Sequence, residues 1–436
     1  MTTIFCSTCG KEFARAAQLK VHGERKRPGK PPVVAAAATA TATSEPFRPA
    51  SVTFNKSLPK EVRQATGIFF TPKKVRDLLF EKLGDLHPTR ILEPSFGTGE
   101  FLFDAGERYP AAKLTGIEMN KELFLSTAKQ FAGATHVNLT NGDFLAWSGT
   151  ADLIIGNPPY FVVPASDSSV MATGRPNIYI QFLHKCLAEH LEPNGHLAFI
   201  IPTSIYNCAY YQPMRDYIAA HTTILHVETL DKPGFYETTQ ETTLLILQKT
   251  VTSDPQFLFR SVSGNLYISP YYKELYELTA GSTTLRALGL AVKTGNVVWN
   301  QVKEKLTAIA TEEKAKLLVY ASNIKNSTLT LNNLLGTEKK QYVKDLTKPT
   351  LDGPVILVDR GYGNAVSFNS VLMTQKDFYA ENHLNVIYRH DGSTPEQALT
   401  RAAASLKDDR TVQFVTLFNG NGTLSATDLE TLIPIF

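Results

Sequence analysis

From about residue 59 the chain alternates short apolar runs with amphipathic stretches. Arg90-Ile91-Leu92-Glu93, Leu114-Thr115-Gly116-Ile117-Glu118, Ala151 to Asn157 and Gly195 to Pro202 read as strands. Ile224 to Leu230 and Thr242 to Leu247 read as two more. Helical patterns over Val75 to Leu83 and Ile178 to Leu191 separate the earlier ones. Near-continuous apolar strands alternating with helices predict a mostly parallel sheet covered on both faces. The last two strands lack room between them for a helix, so the sheet is expected to end antiparallel. After about residue 255 the regularity fades into a second, irregular α/β region running to Phe436.

The front of the chain differs. Residues 28–58 carry Pro31-Pro32 and an Ala/Thr tract, a composition with little to bury, and read as a flexible linker. Residues 1–27 read as a separate segment with a basic end. The expected organisation is therefore 1–27, 28–58, 59–255 and 256–436. A net charge of +3 does not announce a nucleic-acid binder, so any such surface must come from local Lys and Arg clustering. Four cysteines in 436 residues make no disulfide framework. No apolar run reaches membrane-spanning length, and the N-terminus lacks the apolar core of a secretory signal. An intracellular, soluble protein is the expectation.

In open parallel sheets ligands bind beyond the carboxyl ends of the strands. Glu93-Pro94-Ser95-Phe96-Gly97-Thr98-Gly99 follows the first strand; its glycines allow a tight turn around a ligand or simply a turn. Glu118 ends the second strand, placed for a ribose diol or as an ordinary surface acid. Asp143 could accept from an adenine amino group or close an Asx turn. The third strand runs into Asn157-Pro158-Pro159-Tyr160. Two prolines freeze the backbone, so the Asn157 side chain and the Pro158 carbonyl point in fixed directions. Both are acceptors, and a planar amino group offers two N–H donors. Gripping both hydrogens makes the nitrogen lone pair more available. Tyr160 offers a flat face for stacking.

In this order the motifs resemble the gamma-class amino-methyltransferases of restriction–modification systems, the adenine-N6 type. The resemblance covers roughly Ala65 to Phe436 and begins with Thr66-Gly67-x-x-x-Thr71-Pro72. It implies a Rossmann-like S-adenosylmethionine-dependent domain followed by an α/β target-recognition domain. It implies that Thr71, Glu93, Pro94, Gly97 and Gly99 hold the methionine moiety. Glu118 would bind the ribose, Asp143 and Phe144 the adenine amino group, and Met119 with Phe182 would sandwich the ring. Asn157, Pro158, Pro159 and Tyr160 would hold the target base, with Phe235 on its far side. Double-stranded DNA is the implied partner, alongside a separate cognate endonuclease. Asn157, where cytosine-N4 enzymes more often place Ser, points to adenine. Protein glutamine, structured RNA, or binding without turnover are the competing readings.

Three later segments resemble recognition domains of this family: Val292 to Asn300, Glu381 to Ile387 and Phe418 to Gly422. Lys293, Asn300, Arg360 and Asn382 are the expected DNA contacts, with a hydrogen-bonded turn as the alternative at Asn382-His383. Cys6, Cys9 and His22 match the spacing of a two-cysteine, two-histidine zinc finger, but no histidine follows where a fourth ligand belongs. Such a finger points to a eukaryotic or giant-virus setting.

Overall fold

The structure is a computed structural model that describes residues 4–5, 12–13, 47–49, 51–52, 71–163, 177–230, 241–331, 337–360, 369–392, 394–418 and 424–436. The chain divides into two units, Met1–Glu45 and Pro46–Phe436. In the first, Ile4–Phe5 pairs antiparallel with Glu12–Phe13. Cys6, Cys9 and His22 lie outside the described residues, as do Gly67 and Phe235.

The second unit begins earlier than the composition suggests. Phe47 and Ser51 are buried, and the Arg48 backbone N–H donates to Glu100 at 2.9 Å. One aromatic and two polar side chains suffice to tie this stretch down, a signal that the surrounding Ala, Thr and Pro residues mask.

Its first half is a seven-stranded sheet: β1 Arg90–Glu93, β2 Lys113–Glu118, β3 Val137–Asn141, β4 Ala151–Gly156, β5 Leu191–Pro202, β6 Thr223–Leu230 and β7 Thr242–Gln248. The order is β3-β2-β1-β4-β5-β7-β6. Helices α1 Lys73–Leu83, α2 Glu100–Arg108, α3 Lys121–Gln130, α4 Ile178–Lys185 and α5 Gln212–His221 accompany it. The β4 residues Leu153, Ile154 and Ile155 are fully buried, each contributing about 1.5–3 kcal/mol of burial energy. Leu153 and Ile155 enter one core with α1 and α2, while Ile154 enters the other with α4.

Three features depart from expectation. A short edge strand, β3, precedes Asp143. The last strand in chain order, β7, is antiparallel as expected, but it lies between β5 and β6 rather than at the rim. The reason is physical: α5 carries a crossover that returns β6 parallel, and the following hairpin then inserts β7 into the gap. The Ile178 helix also ends at Lys185; Cys186–His190 forms a π turn leading into β5.

The second half has a different architecture. The strands β8 Leu290–Thr294, β9 Val355–Asp359, β10 Ser370–Met373 and β11 Leu384–Arg389 form an antiparallel sheet ordered β8-β11-β9-β10. Ile356 and Val358 face a core built with α6 Glu396–Ser405 and α7 Asp409–Phe418. Their neighbours Val355 and Leu357 face the opposite core with Leu317 and Val319. The halves are not cleanly cut at residue 255. In the hairpin of Leu258–Arg260 and Leu266–Ile268, Leu258, Leu266 and Ile268 enter the first-half core while Phe259 and Tyr267 enter the second.

Candidate functional site

The carboxyl ends of β1, β2, β3 and β4 meet around one cavity of about 410 Å³. After β1 the chain turns through Gly97 (φ 55°) and Gly99 (φ 77°), both in the left-handed region open to glycine. A side chain at Gly99 would also meet Thr127 Cγ2 at 2.8 Å. Gly99 caps the start of α2, so the loop is tied directly to a helix N-terminus.

Glu118, at the tip of β2, holds that loop. Its Oε2 accepts from the Gly97 N–H at 2.9 Å and its Oε1 from the Asn120 N–H at 2.7 Å. Asn120 in turn caps α3 by accepting from the Glu122 and Leu123 N–H groups. After β3, the Gly142 N–H and the Asn141 amide donate to the Glu118 carbonyl. Asp143 accepts from the Leu145 N–H at 2.9 Å, so the Asx-turn reading of this residue holds, and its side chain also lines the cavity. After β4, Gly156 takes φ 152°, and the Asn157 amide Nδ2 donates to Thr71 Oγ1 at 3.1 Å. Asn157 Oδ1 faces the Tyr160 hydroxyl. That hydroxyl also reaches the Ile200 carbonyl at 2.6 Å, and its single proton serves one acceptor at a time.

The electrostatics are lopsided. Burial, reinforced by the negative charge of Glu118, raises the Glu93 carboxyl well above its ordinary range. Burial also raises Glu118, opposed by the Asn120 and Gly97 N–H groups. Glu93 Oε2 and Ser95 Oγ are buried and have no hydrogen-bond partner among the described residues. A cavity with two carboxyls and orphaned acceptors is suited to a cationic, polyhydroxylated ligand.

Of the residues expected here, Thr71, Glu93, Pro94, Gly97, Glu118 and Met119 line this cavity, as do Asp143, Phe144, Asn157, Pro159 and Phe182. Gly99, Pro158 and Tyr160 do not line it. The Tyr160 ring meets Tyr179 edge-on at 6.2 Å. Phe144 and Phe182 lie 4.9 Å apart on one wall, and Met119 is 67% exposed at the rim. Sequence reasoning missed Phe161 and Ile178, which also line the cavity and are tied together by the Ile178 N–H donating to the Phe161 carbonyl at 2.9 Å. The aromatic at Phe161 directly after the tetrapeptide was the available signal.

In the second half, Arg360 and Asn382 are brought together: Arg360 Nη1 donates to the Asn382 carbonyl at 3.2 Å. The Asn382 N–H donates to Val297, which places both beside the turn that follows β8. Gly295 is required there, because a Cβ would lie 2.2 Å from the Glu381 carbonyl. Arg360 Nε, Asn382 Oδ1 and Asn296 Oδ1 are buried without a partner among the described residues. Lys293 is exposed on β8, its ammonium 4.7 Å from the Tyr388 ring, and Asn300 is exposed on the turn Trp299–Gln301. The turn expected at Asn382-His383 is present, closed by Glu381. Residues 419–422 lie outside the described residues.

A family model described as Eco57I restriction-modification methylase matches residues 102–235. The chain is 33% identical over 398 residues to the Type II methyltransferase M.CvrRI of Paramecium bursaria Chlorella virus XZ-6E, covering 89% of this chain and 99% of that protein. It is 31% identical over 402 residues to the modification methylase CviBIII of Paramecium bursaria Chlorella virus NC1A, covering 90% and 99%. Among solved structures it is similar to the M protein of the Type I restriction enzyme EcoKI, with a TM-score of 0.37 at 16% identity, over 43% of this chain and 45% of that one.

Proposed function

Because the chain belongs to the restriction–modification methylase family, we propose that it is a site-specific DNA methyltransferase that transfers a methyl group from S-adenosylmethionine to N6 of an adenine flipped out of the duplex. The observation that carries this reading is Asn157, whose amide is held at the tip of β4 on the wall of the cavity that contains Glu93 and Glu118.

The residues present fit that cofactor. The unpartnered Glu93 Oε2 and the Ser95 hydroxyl suit its cationic methionine end. Glu118, braced by two N–H groups, keeps lone pairs for a ribose diol. Asp143 and Phe144 would meet the adenine amino group, and Met119 and Phe182, which line the same cavity, would flank the ring. Pro94, Gly97 and Gly99 shape the loop around it. When bound, the cofactor supplies an electrophilic methyl on a sulfonium leaving group. The protein's part is positioning and acceptor placement. Asn157 Oδ1 and the Pro158 carbonyl accept from the target N–H bonds. These acceptors would orient the nitrogen toward the methyl, and the proton displaced on transfer would pass to water. Burial raises the Tyr160 hydroxyl well above its ordinary range, so it stays a donor beside Asn157. Its ring and Phe235 are the proposed stacking surfaces. An extruded base is required because a paired amino group is out of reach.

Lys293, Asn300, Arg360 and Asn382 are proposed as DNA contacts, Arg360 and Asn382 acting as one unit. Both chlorella-virus relatives support a giant-virus setting. No helix among the described residues is long and apolar enough to cross a membrane. A separate cognate endonuclease would complete such a system. Zinc at Cys6, Cys9 and His22 rests on spacing alone, and metal analysis of the purified protein tests it.

The deciding experiment is incubation with labelled S-adenosylmethionine and, separately, duplex DNA, tRNA and a release-factor-like protein, followed by digestion of the labelled product. N6-methyladenine in DNA is the expected product. N4-methylcytosine would overturn the choice of base, and label in tRNA or protein would overturn the choice of substrate.

A further inference from the structure

Arg76 on α1 is 2% exposed, and every part of its guanidinium is engaged. Nε donates to Asp104 at 2.6 Å, Nη2 pairs with Glu100 at 2.8 Å, and Nη1 donates to the Thr71 carbonyl at 2.6 Å. Thr71 precedes α1, and its hydroxyl is the acceptor for Asn157 Nδ2, 86 residues away. Glu100 is the first residue of α2, directly after the glycine loop, and lines the cavity. The same carboxylate is held from behind by the Ser51 hydroxyl at 2.6 Å and the Arg48 N–H at 2.9 Å. One buried cation thus joins the cofactor loop to the residue that carries the Asn157 amide.

A buried ion pair is weak evidence for stability, since apolar residues of equal volume commonly do as well. What a guanidinium fork supplies and an apolar side chain does not is a fixed direction for two hydrogen-bond acceptors, Asp104 and the Thr71 carbonyl, together with a charge beside Glu100. The terminal torsion of an asparagine is broad, so its plane is set by hydrogen bonds rather than by rotamer preference. With Nδ2 bonded to Thr71 Oγ1 and Oδ1 facing the Tyr160 hydroxyl, the amide plane is held at both ends, and Thr71 supplies the bond on the nitrogen side.

We propose that Thr71 and Arg76 are positioning residues for methyl transfer: Arg76 anchors the Thr71 backbone, and the Thr71 hydroxyl fixes the plane of the Asn157 amide. This rests on the reading of Asn157 as the target-amino acceptor. It gives the Thr71 hydroxyl a duty toward the target, while its carbon surface remains part of the cofactor cavity.

The test is single-turnover methylation of duplex DNA at saturating S-adenosylmethionine, with cofactor affinity measured separately by calorimetry. Thr71→Val keeps the volume and removes the acceptor; it should slow transfer by about 10²-fold, the scale of an ångström-level misplacement, with cofactor affinity unchanged. Thr71→Ser should recover most of the rate. Arg76→Lys keeps charge without the fork and should slow transfer less. Because the two residues act in series, the double variant should be no slower than Thr71→Val alone, whereas multiplied effects would overturn the proposal. Weakened cofactor binding in Thr71→Val with an undiminished transfer rate would overturn it too. Asn157→Ala serves as the control: if it retained its rate, the reading of Asn157 itself would fail, whereas an inactive Asn157→Ala beside a fully active Thr71→Val would sink only the positioning role.

Discussion

The two halves of the large unit differ in architecture, and with it in how their proposed roles are laid out. In the first, parallel strands end on one side of the sheet, and Glu93, Glu118 and Asn157 arrive at one cavity because each stands at or just beyond a strand tip. In the second, antiparallel strands run in both directions, and the expected contacts lie on a strand face, two turns and the end of β9. Chemistry on one nitrogen needs a few groups held to within fractions of an ångström, so it leaves short, ordered motifs. Recognition of a duplex spreads over a surface and uses residue types found on any surface. The same physics that makes the first site readable makes the second diffuse.

Changes at the convergent site should therefore be the most severe. Asn157→Ala removes the proposed acceptor of the target amino group, and a drop in turnover of at least about 10³-fold is expected, at or beyond the upper end for losing one preorganised polar group. Cofactor binding should survive it. A variant that loses cofactor affinity instead, seen by calorimetric titration, would place Asn157 in the wrong role. Glu118→Ala comes next. It removes a buried acceptor and frees the Gly97 and Asn120 N–H groups, so cofactor affinity should fall by about 10- to 100-fold, as expected for one or two hydrogen bonds to a charged group. Unchanged affinity would break the view that one acid braces the loop and holds the ligand.

How much of this was legible follows the same line. The strands of the core and the motif at Asn157 were readable because buried parallel strands are apolar runs and two prolines are conspicuous. β3 was not recognised as a strand, because an edge strand of five residues with little burial carries only a faint alternation, Val137-Asn138-Leu139. Insertion of β7 was not legible, since sequence adjacency predicts the β6–β7 hairpin but not which member pairs with β5. The bond from Asn157 to Thr71 depends on tertiary geometry alone. In the second half, Arg360 and Asn382 were named as separate residues, and their pairing emerged only from the turn around Gly295.

Variants in the diffuse half should have smaller, separable effects. Asn382→Ala and Arg360→Ala should each cost about 1–3 kcal/mol in discrimination between target and mismatched duplexes if they read base edges. Their double variant should fall short of the sum, because Arg360 holds the Asn382 backbone. Lys293→Ala should weaken binding evenly across sequences and lower the slope of log affinity against log salt by about one, measured by fluorescence anisotropy. Sequence-dependent loss at Lys293, or even loss at Asn382, would reverse these assignments and erase the contrast between a phosphate contact and a base contact.

The smallest expected effect returns to the convergent site and concerns a single proton. Burial and the neighbouring Glu118 charge raise the Glu93 carboxyl well above its ordinary value of 4.5, against the pull of Arg76. In the unliganded fold Glu93 therefore keeps a proton that the unfolded chain gives up. Its stabilising contribution is complete below the ordinary carboxylate value and is lost as pH rises through the raised, folded-state value. A cationic ligand beside the carboxyl favours the ionised form and reverses this, so S-adenosylmethionine binding should release a fraction of a proton. Apparent affinity should then rise a few-fold with pH across that window and level off above it. Calorimetric titration in two buffers of different ionisation heat measures the release directly, and Glu93→Gln should abolish it. Binding without proton release in the native protein would mean that the Glu93 carboxyl holds the same protonation state with and without the cofactor, which would remove the proposed coupling.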